Sequence, residues 1–315
     1  MPAASFSEVW RRVRLYAGNV PAHLAREWVQ SVYGDVCGRR HWAWLRAETL
    51  LTTRAARALT ATLLQGSTAF VAPNADLVDT DVGRQIRVAK QSIYTIDTVE
   101  DASNATLTVP YAGVSDTVSM SIHDRYLVMP EDFRSIHTVT DLQLQRPIAW
   151  WISKDRLDLF DPGRIAGDSR FRVLVAGAYA VASAVAGRVA YEAWPAPSAA
   201  GTYGLAYFKQ SDSLPEDDPL PGVLGTRTDV LVEGALARCA MWPGTPTEKN
   251  PYFNPALARL HTDRFDRLTK QLDVLDDDQY LMDLQQVNLA KYGLAAISAD
   301  TTLMRQSDAT MADYY

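Results

Sequence analysis

Arg188–Pro221 reads RVAYEAWPAPSAAGTYGLAYFKQSDSLPEDDPLP, and the chain changes character within it. GRVAYEAW and TYGLAYFKQ have the apolar and aromatic content of strands. Between them lies a corner, WPAPSAAG, whose two prolines offer no backbone donor to a ladder. The second strand is expected to turn back and pair with the first. SDSLPEDDPLP then reads as a capped acidic surface loop. Beyond Gly225, RTDVLVEGALARCAMW is apolar almost throughout, the mark of a helix buried on most sides. The stretch therefore ends a strand-rich region and opens a helical one.

Working outward, the N-terminal end is also helical. Ser5 and Glu8 have capping-box spacing, in which each side chain satisfies the other's orphan backbone donor. Phe6, Val9, Trp10, Val13 and Tyr16 then share a face, and Gly18 ends the helix. A second helix starts near Pro21, carries Leu24, Trp28, Val32 and Val36 at four-residue spacing, and stops at Gly38. HWAWLRAETLL leads into a first strand. From about Leu50 to Thr140 the texture is Thr, Val, Ile, Gly and Asp. RQIRVAK, SIYTIDTV, ATLTVPY and TVSMSIH read as short strands, with EDASNA a turn. WWISKDRLDLF reads as one or two helical turns and FRVLVAG as a strand, in a middle region whose alanine-rich stretches leave the period ambiguous.

Near the C-terminal end, Asn254 is an N-cap, followed by Pro255 at the first helical position. This helix is expected to run to about Leu289. Phe265, Leu268, Leu272 and Leu275 step by three and four as a coiled-coil-like seam. At about 1.5 Å per residue the helix approaches ~50 Å, long enough to call for a neighbouring subunit. SADTTLMRQSDATMADYY lacks periodicity and reads as a mobile tail.

The fold class is thus α+β. A helical bundle of N- and C-terminal helices holds an inserted β-rich domain of barrel or sandwich type. The expected division is 1–49 for the first helices and 50–224 for the β-rich middle, with the insertion at about 66–125. Residues 225–290 supply the C-terminal helices and 291–315 a flexible arm.

Composition bounds the function. The 315 residues carry a net charge of -6, and the pI is about 5.4. A grip on nucleic acid through phosphates needs a clustered basic face, which this balance disfavours. A passage that must not hold DNA is compatible with it. Cys37 and Cys239 lie far apart in apolar helical contexts and read as two buried thiols. No stretch approaches the ~18 apolar residues of a membrane span, and MPAASFSEVWRRVR has no signal-like apolar core.

Chemistry is sparse in the sequence. None of the five histidines, His23, His41, His123, His137 and His261, has metal-ligand spacing. HDRY at His123 reads as a surface polar cluster, and Asp273 with VLDDDQY as a solvated helix face. No nucleophile elbow, P-loop or dinucleotide fingerprint occurs. Trp150 and Trp151 are adjacent, so on a strand one of them faces away from the core and is an interface candidate. With Asp155 and Asp158 they also mark the place where a glycan-binding or glycan-cleaving site would be sought.

The order of these patches resembles the head-to-tail adaptor (connector, or head-completion) proteins of tailed bacteriophages. The resemblance rests on EAWPAPSAAGTYGLAYF, SLPEDDPLP and DVLVEGALARCAMW in sequence. It rests also on HWAWL before the first strand, on RYLVMPEDFRSI, and on the insertion-like DVGRQIRV, YTIDTV and ATLTVPYAG. It implies a ring of roughly twelve copies beneath the portal protein. Tail, nozzle or tail-terminator proteins would sit below, and double-stranded DNA would pass through without sequence-specific binding. It implies no enzyme activity, no cofactor, no metal and no membrane, and a place in the neck of the virion after assembly in the host cytoplasm. Leu294, Ile297, Leu303, Met304, Met311, Tyr314 and Tyr315 would form the arm that meets the portal. Phe265, Leu268, Leu272, Leu275, Trp151 and Trp194 are the subunit-contact candidates. A tail-tube or nozzle protein, and a glycan-binding protein, are the competing readings.

Overall fold

A computed structural model describes residues 3–18, 20–88, 91–176, 179–180, 188–244 and 249–291, with side chains omitted at 91–93, 150–151, 176, 179–180 and 277–291. The elements in chain order are α1 (Phe6–Tyr16), α2 (Ala22–Arg39), β1 (Arg46–Thr53), β2 (Arg57–Leu63), β3 (Ala69–Val71), β4 (Gln85–Val88), β5 (Gln91–Val99), β6 (Asn104–Leu107) and β7 (Asp116–His123). They continue with β8 (Tyr126–Val128), β9 (Phe133–Asp141), β10 (Arg146–Pro147), β11 (Ala149–Ser153), α3 (Lys154–Phe160), β12 (Gly167–Asp168), β13 (Val173–Ala176) and β14 (Tyr179–Ala180). β15 (Val189–Trp194), β16 (Ala196–Pro197), β17 (Gly201–Lys209), α4 (Asp229–Met241) and α5 (Pro255–Lys291) complete the order. The protein is mixed α+β and divides into two compact units, one made of residues 1–45 with 211–315 and the other of 46–210.

The helical unit follows its capping chemistry. Ser5 and Glu8 form the capping box at the start of α1. Asn254 accepts from the backbone of Ala256 and Leu257 at the start of α5. Val9, Val13, Val29, Val32, Val36, Leu231 and Ala235 are buried. The approach of α4 to its neighbours is close at Gly234, where a Cβ would lie 2.6 Å from Val32 and 3.0 Å from Phe265. Trp42 is fully buried, donates to the Val36 carbonyl at 2.6 Å and stacks on Trp44. The acidic loop belongs to this unit rather than to the strands. Gln30 brackets it, donating to the Asp212 carbonyl and accepting from Leu214 N–H. Arg26 pairs with Glu216 at 2.8 Å.

In the β unit, β2, β3, β6, β5, β4 and β7 close into a six-stranded barrel. β2 shows why: Leu59, Ala61 and Leu63 point in while Thr60 and Thr62 point out, a strict period of two. The barrel therefore begins at Arg57, ahead of the expected 66; the small inward Ala61 weakens the apolar signal of this strand. Phe70, Ile86, Tyr94, Ile96, Leu107, Met120 and Ile122 fill the interior. Asp101 makes the β5–β6 turn by accepting from Ser103 and Asn104 N–H groups.

A second core, with Met129, Phe133, Phe171, Leu174, Tyr203 and Leu205, lies between the remaining sheets. One sheet has the order β1-β17-β9-β10, and the other contains β11, β13, β15 and β14, with β8 also on β15. Here the opening stretch departs from expectation. β15 and β17 do not pair with each other; they belong to different sheets. The corner between them, with a cis bond before Pro195, pairs instead with β12. Prolines 195 and 197 cannot donate to a hairpin ladder, so the chain crosses from one sheet to the other there. WWISKDRLDLF is part strand (β11) and part helix (α3), with Ser153 capping Arg156 N–H.

Candidate functional site

The densest polar constellation of the β unit grows from arginines in and around the barrel strands. Arg84 is buried and donates to Asp81 at 3.0 Å, to Asp124 at 2.8 Å and to the Ala55 carbonyl at 2.9 Å. Arg57 binds the other oxygen of Asp81 at 2.6 Å. Arg54 meets Asp124 through its backbone N–H at 2.6 Å and its guanidinium at 3.1 Å. One residue along, Arg125 crosses to Glu192 on β15 at 2.8 Å, and Arg164 reaches the same oxygen at 2.5 Å. Arg87 donates to the Arg164 carbonyl at 2.7 Å, linking the barrel to this second group.

Electrostatics follow from that geometry. Burial pushes the Asp81 carboxyl up, but bonds from Arg84, Val78 N–H and Arg57 outweigh it and hold the group below the usual range. Asp161 is likewise held low against burial, by Trp194 Nε1 at 2.9 Å and the N–H groups of Ile165 and Ala166. His123 is pushed down to about 4, first by burial and then by Arg87 and the other nearby arginines. It is a neutral buried side chain, not part of a surface cluster. Carboxylates occupied in this way are poor proton acceptors, and the arrangement is suited to holding strands together.

In the helical unit His261 donates or accepts at Glu233 over 2.6 Å through Nδ1 and meets Tyr252 at 3.3 Å through Nε2. Asn250 donates to the Cys239 and Trp242 carbonyls, closing the end of α4. Neither cysteine is in a disulfide and both are buried, and burial pushes the Cys239 thiol up to about 11. An open cavity of about 280 Å³ is lined by Arg39, Arg40, Asp266, Thr269, Lys270 and Asp273. The acidic run beginning at Asp273 is not simply a solvated face. Asp273 pairs with Arg40, and buried Asp276 accepts from Ala43 N–H at 3.0 Å.

The residues singled out from sequence fall into three groups. On α5, Phe265 and Leu272 are buried within the chain, Leu268 is half-buried and Leu275 is exposed. The first two are thus covered by their own unit, where Phe265 faces α4 at Gly234. Trp194 is half-buried and tied to Asp161; Trp151 lies on β11, with its side chain outside the described residues. The arm residues Leu294, Ile297, Leu303, Met304, Met311, Tyr314 and Tyr315 also lie outside them. Asp158 of the glycan-site candidates is ion-paired to Arg164.

An apolar surface escaped the sequence reading. Leu159, Phe160 and Ile165 are 85%, 74% and 54% exposed. α3 has seven residues, of which Leu157 is buried. The signal was three apolar residues at 157, 159 and 160 in a helix too short to bury more than one stripe. Among the described residues, no group of three or more His, Cys, Asp or Glu could hold a metal ion. No helix among them is long and apolar enough to cross a membrane. Comparison with protein-family models and with curated protein sequences finds no match to this chain.

Proposed function

We propose that the chain is a structural protein of a tailed bacteriophage, a head-to-tail adaptor. In this reading roughly twelve copies form a ring below the portal and continue the DNA channel toward the tail. The helices form the bundle of each subunit, the barrel is its inserted domain, and residues 292–315 reach the portal. The resemblance of ordered motifs supplies the family.

The observation that carries the reading is the length of α5. Its 37 residues span about 55 Å, against about 20 Å for the 13 residues of α4 and about 27 Å for the 18 of α2. Helices of those lengths cannot cover α5 from end to end, and a neighbouring subunit can. The occupied carboxylates of the ion network favour a structural role over acid–base catalysis. An acidic chain also suits a conduit through which DNA slides, because a basic wall would retain phosphates.

The test is the mass of the purified protein alone and with a cognate portal ring. Conversion to a ring-sized complex only when portal is added supports the adaptor reading. Indifference to portal with binding to nozzle or tail-tube protein replaces it by the tail reading. A chain that meets no virion component rejects both.

A further inference from the structure

The open cavity and the acidic loop of the helical unit carry opposite charge in excess. The cavity, of about 280 Å³, lies between the end of α2 and one stripe of α5. Asp266, Lys270 and Asp273 step by four and three along α5, which places them on one face. Arg39 is the last residue of α2 and Arg40 follows it. Arg39 meets Asp266 at 3.0 Å and lies over the Phe265 ring. Arg40 stands 3.7 Å from Asp273 and lies over the Trp42 ring. Lys270 has no ion pair among the described residues. Three cations thus face two carboxylates, and the cavity keeps one positive charge in excess. A guanidinium has five N–H donors, so a single carboxylate does not exhaust either arginine.

The loop presents the complement. Asp217 and Asp218 are exposed and make no ion pair among the described residues. Their neighbours on both sides are pinned. Ser7 N–H donates to the Glu216 carbonyl at 3.0 Å, and Leu220 N–H donates to the Ala4 carbonyl at 2.9 Å. The Glu216 side chain is held by Arg26. Pro215 and Pro219 fix φ on either side of the pair. The two carboxylates are therefore held out to solvent in one place, and ordering them on a partner costs little chain entropy.

Within one chain the pair cannot enter the cavity. Glu216, next to Asp217, is tied to α2 at Arg26, whereas the cavity lies at Arg39 and Arg40. Arg26 and Arg39 are about 20 Å apart along the helix axis, far more than an aspartate side chain spans. A second copy of the chain has no such restriction. We infer that Asp217 and Asp218 of one copy dock into the Arg39, Arg40 and Lys270 cavity of the next. The bonds would be charge-assisted, to guanidiniums already placed by their aromatic neighbours. The contact joins two different surfaces, so it is head to tail, the kind that closes rings. It rests on the ring reading above and gives that reading a pair of subunit surfaces.

The test is assembly of the full chain on a cognate portal ring with charge changed on either side of the contact. Asp217→Lys with Asp218→Lys alters exposed positions and should keep the melting temperature. It should need about tenfold more protein than wild type to assemble. Lys270→Glu should show a loss of the same kind, and the chain carrying all three changes should recover most of it. Assembly of wild type should weaken as salt rises. Should a charge variant melt early, a cross-link reads the contact instead. Asp218→Cys chains mixed with Lys270→Cys chains should form a disulfide in the assembled ring, the native Cys37 and Cys239 being buried. The contact is overturned if the loop variant assembles as wild type does, if the three changes together are no better than the loop change alone, or if the cysteine variants assemble without cross-linking. A wild-type chain that forms no ring on portal removes the ring reading and the contact together. A wild-type ring that tolerates the charge changes removes the contact alone.

Discussion

Arg164 and Glu192 meet at 2.5 Å in the interior of the β unit, and the same carboxylate oxygen also receives Arg125. Removing the carboxylate charge would take from both guanidiniums the buried oxygen they share, leaving Arg164 its exposed-side pair with Asp158. Glu192→Gln should therefore cost about 3–5 kcal/mol of stability. Urea denaturation followed by fluorescence would read it as a lower midpoint. A loss under about 1 kcal/mol would mean that both arginines find other partners.

His123 gives the β unit a pH dependence of definite sign. Its folded pKa is about 4 against an ordinary 6.5, because burial and Arg87, Arg125 and Arg84 oppose its charge. The unfolded chain therefore takes up the proton first. Stability should be full above about pH 6.5 and fall toward pH 4, by on the order of 3 kcal/mol. The His123 ring resonances in the folded protein should not titrate between pH 7.5 and 5.5. A midpoint near 6.5 in that titration would refute the assignment.

Asp81 adds an acid limb. Its folded pKa lies below the ordinary 3.8, so its contribution is present above about pH 4 and is lost as pH falls further. Asp81→Asn should be less stable at pH 7, because Arg57 loses its charged partner and buried Arg84 loses one of two. It should also lose less stability than wild type between pH 4 and pH 3. Parallel denaturant curves at both pH values decide this.

Gly234→Ala sets two effects against each other. Alanine in a helix interior is favoured over glycine by about 1 kcal/mol. At 2.6 Å from Val32, its methyl would force α2 and α4 apart, and overpacking costs about 1–3 kcal/mol. The close contact should win, giving a lower melting temperature. A stabilised variant would show that Val32 can rotate away freely.

These positions also separate what sequence could and could not say. The capping box at Ser5 and the Asn254 cap were legible, because caps act over three residues. Barrel strands β4 to β7 were legible from β-branched content and turn residues. The separation of β15 from β17 was not, since sheet membership depends on partners far along the chain. The ion network was hidden for the same reason. Glu192 lies 67 residues from Arg125 and 28 from Arg164, and nothing local marks it as buried. His123 and Asp276 look like surface groups in the sequence because polar residues usually are.

Leu159→Ser with Phe160→Ser tests the exposed apolar surface of α3. Both side chains already face solvent, so the folded chain should keep its stability to within about 0.5 kcal/mol. If the surface serves ring contacts, the same double variant should fail to assemble on portal. Normal assembly would remove α3 from the subunit interface.

The helical unit is assembled from two pieces separated by the whole β unit. α1 and α2 leave the ribosome some 200 residues before α4 is complete, about 10–40 s at ordinary elongation rates. During that interval α1 and α2 lack the α4 helix they pack against, while the last barrel strand is complete by His123, well before α4. Synthesis order thus makes the inserted strands the first part able to close and the terminal helices the last. Premature release or truncation before Met241 would leave a folded barrel carrying an uncovered, aggregation-prone helical pair.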